Sequence, residues 1–369
     1  MNKEHFNFTN YSNSGLFVNT DKFYFTNYAR DAGYIINRLS QQYSMDIYFP
    51  FYICSSALFF LKNSPERIKF YSLTNDLKIN IESLFDKLDT NSNPNKILYI
   101  VHYYGFSDPN YSLIINYCKN NNILVVEDCA ISLFSKYNNQ YLGLSADIGL
   151  YSLVKNTCLF DGGAIHISSR LKEKCLTDGI DIFPHRTKNS DYKRISKSIV
   201  RKLLLKYFNQ NVLEHINNIF GKSSADNLMG SNDNYEIRPI SKISKYLLRY
   251  SIEDYISQHQ IDNYNYLHEE FGENTFKWMK IKEGIVPHSF PLIVNNKDKA
   301  IDKLKRNHIA ILDLWDMKQI PLNLMNNLSM INMATELSQS FINIPIHLGI
   351  SKKELSSIKR LIKYQIIVK

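Results

Sequence analysis

From Asp46 to about Gly163 the chain alternates short apolar runs with stretches of helical periodicity, and this alternation narrows the fold more than any other feature. The runs Asp46–Phe49, Ile68–Tyr71, Ile97–His102, Ile123–Glu127 and Gly149–Ser152 are short and almost continuously apolar, as strands covered on both faces must be. Between them, Ile81–Leu88 and Tyr111–Asn120 repeat apolar residues at helical spacing. That order predicts parallel strands joined by crossover helices: an α/β fold with a mostly parallel sheet and helices on both faces.

The chain of 369 residues exceeds the size at which one core usually stops growing, so two domains are expected. The large α/β domain is placed at 1–245 and a smaller C-terminal α+β domain at 246–369. In the latter, Ile240–Gln260 reads as helix, Val286–Val294 as strand, Asp298–Asn307 as helix, Ile309–Leu314 as a short apolar stretch and Ser351 onward as a terminal helix. A basic helical insertion covers about 168–233. Within it Tyr192–Phe208 puts Ile195, Ile199, Leu203 and Tyr207 on one face and basic residues around the rest, and the small polar run 221–233 closes it as a loop. Two readings of that helix stay open: packing on its own protein, or peripheral contact with an anionic membrane surface or a phosphate-bearing partner.

The formal net charge of +9 favours anionic partners. Nucleic acid is set aside, because no zinc-finger spacing, aromatic RNA-binding pattern or basic tail occurs. The five cysteines are odd in number and scattered, without the spacing of a metal site or a disulfide framework, which fits reduced thiols and a cytoplasmic location. No signal-peptide core opens the sequence and no apolar run has bilayer-spanning length.

Chemistry gathers where strands end. In order come Val101-His-Tyr-Tyr-Gly105, Val125-Val-Glu-Asp-Cys-Ala130, Asp147-Ile-Gly-Leu-Tyr-Ser-Leu-Val-Lys155 and Phe160-Asp-Gly-Gly-Ala-Ile165. Each carries a polar group to the carboxyl end of a predicted strand, where open α/β sheets bind ligands. A pyridoxal phosphate enzyme needs a lysine, a carboxylate against the pyridinium nitrogen and donors around the phosphate. Lys155 supplies an amine shortly before a Gly-Gly turn, and Asp128 a carboxylate at the end of ILVVED, where burial is costly unless a cation meets it. Alone, Asp128 reads equally as a helix N-cap and Lys155 as a surface lysine; their order and the Asp161-Gly162-Gly163 that follows favour the cofactor.

Those pieces resemble the DegT/DnrJ/StrS family of sugar aminotransferases, over most of the chain from about Phe25 apart from the basic region. VHYYGFSDPN resembles the family's strand, His, Gly and Asp; VVEDCA its Glu-Asp-x-Ala; and GLYSLVKNTCLFDGGAI its Ser, lysine and Gly-Gly segment. YFPFYICSSALFFL, FYSLTNDLKINIESLF, VPHSFPLIV and FINIPIHLGIS match more loosely. The resemblance implies the type I aminotransferase fold and pyridoxal 5'-phosphate as cofactor, with Lys155 bonded to it, Asp128 facing its ring nitrogen, Ser152 donating to its phosphate and Ala130 lying in the same cofactor-contacting motif. It further implies a homodimer, glutamate as amino donor and a nucleotide-linked keto-sugar as acceptor, in bacterial surface polysaccharide or related glycan synthesis. Alternatives are a non-catalytic, partner-binding protein and a pyridoxal enzyme with a non-sugar substrate. A sugar dehydratase fits less well, since such relatives replace the lysine with His.

The chain departs from the family in several places. The phosphate cradle Ser-Gly-Thr-x-Ala corresponds to Tyr28-Ala29-Arg30-Asp31-Ala32, where Arg30 is either a charge-assisted phosphate donor or a partner of Asp31. Ile131 stands where the family keeps Gln or His for the ring hydroxyl, leaving His102 as candidate donor or as a satisfied core histidine. Tyr52 either stacks on the ring or packs in the core. The Ser152-to-Lys155 spacing is short, and the family's Asn-x-Arg is represented at best by Glu236-Ile237-Arg238.

Overall fold

The computed structural model describes residues 15–17, 22–61, 64–157, 159–183, 196, 235–248, 251–307, 309, 311 and 328–365. The first part of the chain forms β1 (Phe23–Thr26), β2 (Asp46–Pro50), β3 (Ile68–Tyr71), β4 (Lys96–Val101), β5 (Leu124–Asp128), the two-residue strands β6 (Lys136–Tyr137) and β7 (Gln140–Tyr141), β8 (Ile148–Ser152) and β9 (Gly163–Ile167). Its helices are α1 (Asp31–Gln42), α2 (Ile81–Thr90), α3 (Tyr111–Asn120), α4 (Leu153–Asn156) and α5 (Ser169–Thr177).

Seven strands make one sheet in the order β1-β9-β8-β5-β4-β2-β3. β2, β3, β4, β5 and β8 pair in parallel; β9 is antiparallel to both β8 and β1, so it alone runs against the rest. The carboxyl ends of β1, β4, β5 and β8 therefore share one edge of the sheet. The sheet is mostly parallel, as its apolar runs require, and Ile47, Leu98, Ile100, Tyr151 and Ile165 are buried within it. Burying each such side chain contributes about 1.5–3 kcal/mol before entropy is counted. Local signals set the helix starts: Asn80 accepts from the Ser83 amide at 3.1 Å to open α2, and Ser168 accepts from the Leu171 amide at 3.3 Å to open α5.

The C-terminal part has α6 (Lys242–Leu248), α7 (Glu253–Phe271), β10 (Ser289–Ile293), α8 (Lys297–Arg306), α9 (Leu328–Gln339), β11 (Phe341–Pro345) and α10 (Lys352–Gln365). β10 and β11 pair antiparallel, with Pro291 opposite Asn343. A two-stranded sheet leaves one side of each strand unpaired, so a proline's missing N–H is tolerated there. The segment read as one helix over Ile240–Gln260 is two, α6 and a longer α7 that continues to Phe271. The basic segment Tyr192–Phe208, apart from Ser196, and the loop at 221–233 lie outside the described residues. Among the described residues no helix is long and apolar enough to cross a membrane, and Cys54, Cys118, Cys129 and Cys175 are free thiols.

Candidate active site

Strand registry decides which side chains can meet. Val101 pairs with Asp128, Asp128 with Leu150, and Ser152 with Gly163, which pairs with Thr26. Paired residues share a face and alternate residues along a strand return to it, so Tyr99, Val101, Asp128, Leu150, Ser152 and Gly163 all lie on one face of the sheet. Asp128 and Ser152 thus stand on neighbouring strands, on the same face, at the carboxyl edge.

Gly163 shows what covers that face. A Cβ placed there would collide with the Ala29 nitrogen and the Tyr28 carbonyl carbon, so the main chain leading into α1 crosses directly above it. The start of α1 is thereby held over the row that carries Ser152 and Asp128. Arg30 sits at this point. Its guanidinium lies 4.4 Å from the Tyr28 ring centroid and 4.9 Å from that of Phe59, and its Nε and Nη2 are buried without a hydrogen-bond partner. Two unsatisfied cationic donors at a helix N-terminus call for an anion.

Asp31 does not pair with Arg30. Its carboxylate accepts from the Tyr235 hydroxyl at 2.6 Å and from the Tyr28 amide at 3.4 Å, and it is fully buried. Burial pushes it up to about 6, against the opposing effects of the Tyr235 hydroxyl and the Arg30 charge. Of the two residues proposed for the phosphate cradle, Arg30 has the chemistry for an anion. Asp31 has the wrong charge, and its oxygens are spent on holding the Tyr28–Arg30 turn and Tyr235.

Asp128 is half-buried, with Oδ2 accepting from the Tyr99 hydroxyl at 2.8 Å and Oδ1 from the Ala130 amide at 2.9 Å. Ser152 opens α4 but its hydroxyl does not cap that helix. Lys155, the third residue of α4, is exposed. Its neighbour Asn156 donates to the carbonyls of Ala130 and Ser152, each at 3.0 Å, tying the lysine-bearing turn to the end of β5 two residues past Asp128. Lys155 also lies near His288, whose main-chain N–H donates to the Tyr104 carbonyl at 2.9 Å. Burial, then the nearby charges of Lys155 and His347, hold His288 down to about 3, so it is neutral at ordinary pH. Gly105 permits this approach: its φ is +99°, and a Cβ there would strike the Val286 carbonyl.

Two sequence candidates sit elsewhere. His102 follows Val101, so alternation projects it to the opposite face, where its Nε2 lies 3.1 Å from Glu127 Oε2. Glu127 also accepts from the Tyr111 hydroxyl at 2.7 Å and from the Gly143 amide. Burial raises Glu127, but His102 and these donors bring it below its ordinary value. His102 is therefore a core histidine paired with Glu127 through Nε2, its buried Nδ1 lacking a partner, rather than a ring-hydroxyl donor; strand alternation puts it under the sheet. His102, Glu127 and Cys129 offer ligand atoms within 4.8 Å of one another, yet three donors already occupy the Glu127 oxygens. Tyr52 is 1% exposed, stacked on Tyr103 at 6.0 Å and edge-on to Phe341 at 6.2 Å, so its ring fills the seam with the C-terminal sheet.

The sequence reading passed over Tyr99, Asn156 and His288. For Tyr99 a signal was present: a buried tyrosine hydroxyl in an otherwise aliphatic strand must find a partner.

Residues 73–187 match the model of the DegT/DnrJ/EryC1/StrS aminotransferase family. That segment is similar to the DegT/DnrJ/EryC1/StrS family. Solved structures agree on the fold. The sugar aminotransferase CalS13 from Micromonospora echinospora is 14% identical with a TM-score of 0.60, covering 93% of this chain and 87% of its own. Helicobacter pylori PseC, an aminotransferase of pseudoaminic acid biosynthesis, is 16% identical with a TM-score of 0.62, covering 92% and 85%. The E. coli GDP-4-keto-6-deoxy-D-mannose-3-dehydratase, solved with hydrated PLP bound, is 14% identical with a TM-score of 0.61, covering 92% and 87%. No curated protein sequence matches. The fold of this chain is that of these solved structures, the last of which holds pyridoxal phosphate. The residues present suit that group: unpaired Arg30 donors and the Ser152 hydroxyl for its phosphate, a half-buried carboxylate for its ring nitrogen and an exposed amine one turn beyond.

Proposed function

We propose that this protein is a pyridoxal-phosphate-dependent aminotransferase that converts the ketone of a nucleotide-linked sugar to an amine, with glutamate as donor. The observation that carries the reading is the row Asp128–Ser152–Gly163 on one sheet face, covered at Gly163 by the main chain of Tyr28 and Ala29 that leads to Arg30, whose Nε and Nη2 have no partner. Bound there, the cofactor supplies an electron sink for the carbon that gains or loses the amino group. Arg30 and Ser152 would hold its phosphate, and Asp128 would keep its ring nitrogen protonated. Lys155 would anchor it and, once freed by an incoming amine, serve as the base that moves a proton between the two carbons of the amine exchange. His288, neutral and buried near Lys155, adds no competing cation beside the amine.

The family's cofactor, the net charge of +9 and the neighbours whose names carry sugar chemistry support a diphosphate-bearing sugar as substrate, in glycan synthesis within the cytoplasm. Homodimerisation follows from the resemblance, and the exposed apolar side chains of Ile243 and Tyr246 on α6, Ile252 just before α7 and Tyr255 on α7 are consistent with it. One observation favours a second reading, a non-catalytic partner-binding protein: Ile131 is buried and His102 lies on the other face, so neither serves the ring hydroxyl.

Half-reactions between the aminated form of the protein and a panel of keto-sugar nucleotides, keto acids and aldehydes test the proposal. Return of the aldehyde form of the cofactor with a keto-sugar nucleotide is expected. Response only to non-sugar ketones would remove the sugar assignment, and failure to take up cofactor would leave the partner-binding reading.

A further inference from the structure

Asp128 is held at both oxygens, and one of its two holders has a side chain that can be altered without disturbing the strand. The Ala130 amide reaches Oδ1 at 2.9 Å as part of the turn that ends β5; the Tyr99 hydroxyl reaches Oδ2 at 2.8 Å from the neighbouring strand β4. Tyr99 pairs in register with Val126, so its Cα lies two residues short of Asp128, and the length of the phenol ring spans that gap. The ring is itself fixed. It is 2% exposed, lies against Phe49 at a centroid distance of 4.7 Å, and its main-chain carbonyl accepts from the Tyr71 hydroxyl at 2.9 Å.

From this geometry we infer that Tyr99 is a positioning residue for Asp128, fixing the plane in which the carboxylate presents its remaining lone pairs to the ring nitrogen of the cofactor. A carboxylate's terminal torsion is broad and roughly two-fold, so a single main-chain donor leaves it free to swing, whereas two donors on different oxygens do not. Burial, then the Asp128 charge and its hydrogen bond, keep the Tyr99 phenol well above its ordinary value, so Tyr99 remains a donor at neutral pH. A neutral hydroxyl suits this task. A lysine or arginine there would compete with the pyridinium for the carboxylate charge, while a phenol orients it and leaves its charge available. Tyr99 touches neither substrate nor cofactor; it acts through Asp128. The inference rests on the proposed cofactor site.

The test compares wild type, Tyr99→Phe, Asp128→Asn and the double variant as full chains, by equilibrium binding of pyridoxal phosphate and by the resonance of cofactor labelled with 15N at the ring nitrogen. Tyr99→Phe removes one hydroxyl and leaves packing intact, so the melting temperature of the cofactor-free protein should hold. Affinity should fall roughly ten-fold, the worth of one hydrogen bond to a charged group, and the nitrogen resonance should move toward the unprotonated position. In the Asp128→Asn background the same substitution should change neither quantity further. If Tyr99→Phe leaves affinity within two-fold and the resonance unmoved, or weakens binding equally in both backgrounds, the positioning role is refuted while the cofactor site stands. If wild type binds no pyridoxal phosphate, the functional reading fails and this role fails with it.

Discussion

Replacing Arg30 with methionine separates an anion-binding role from a packing role. In the folded chain the guanidinium gains two ring contacts, to Tyr28 and Phe59, worth about 0.5–1 kcal/mol each at a partly exposed position. Against these stand two buried, unpartnered N–H groups, each costing about 1–3 kcal/mol. The donors cost about 2–6 kcal/mol against about 1–2 kcal/mol from the rings, so Arg30→Met should leave the melting temperature of the cofactor-free protein unchanged or higher. Cofactor binding behaves differently. An anion that satisfies both donors gains charge-assisted hydrogen bonds worth about 1.5–3 kcal/mol, so Arg30→Met should weaken pyridoxal phosphate about 10- to 150-fold. Pyridoxal, which lacks the phosphate, should bind both proteins alike. Fluorescence titration of each ligand gives the comparison. Equal losses for pyridoxal and pyridoxal phosphate, or a large fall in stability without cofactor, would refute the assignment.

Further outcomes follow from the same contacts. Asp31 binds its proton more tightly folded, at about 6, than at its ordinary 3.8, so the folded state holds more protons between those values and stability falls as pH rises through that window. The loss amounts to about 3 kcal/mol, complete above pH 6, and Asp31→Asn should abolish this slope in urea unfolding at pH 4.5 and pH 7; an unchanged slope would count against it. Asn156→Ala removes both ties between the lysine-bearing turn and the end of β5, so it should slow turnover at least ten-fold with little effect on phosphate affinity, seen as a fall in kcat; an unaffected kcat would contradict it. Gly163→Ala drives a methyl group into the main chain at Tyr28 and Ala29 and should cost about 1–3 kcal/mol or more together with cofactor affinity, read by denaturation and by binding; a neutral result would show that the cradle is looser than drawn.

The sequence made the parallel core legible because its signal was repeated. Ile68–Tyr71 and Tyr111–Asn120 form as read, and the other apolar runs shift by a residue or two at their ends. His102, one residue past Val101, falls by alternation on the face opposite Asp128, which settles between its two readings. β9 was hidden in a Gly-Gly segment read only as a turn, and β11 ends in proline, each too short to show a period. Asp128, Ser152 and Lys155 could be named from their order along the chain. Tyr99 and Asn156 could not, because their partners are set by registry between strands and by a four-residue helix. Tyr52 was ambiguous for the same reason: an aromatic after a strand packs wherever the second sheet arrives, here at Phe341.

The account depends on Lys155 bonding the cofactor above the face that carries Asp128. Purified protein incubated with pyridoxal phosphate, reduced with borohydride and digested should yield one peptide bearing the phosphopyridoxyl group on Lys155, with loss of a visible absorbance band. A colourless protein, or label on other lysines at the level found after denaturation, would contradict it.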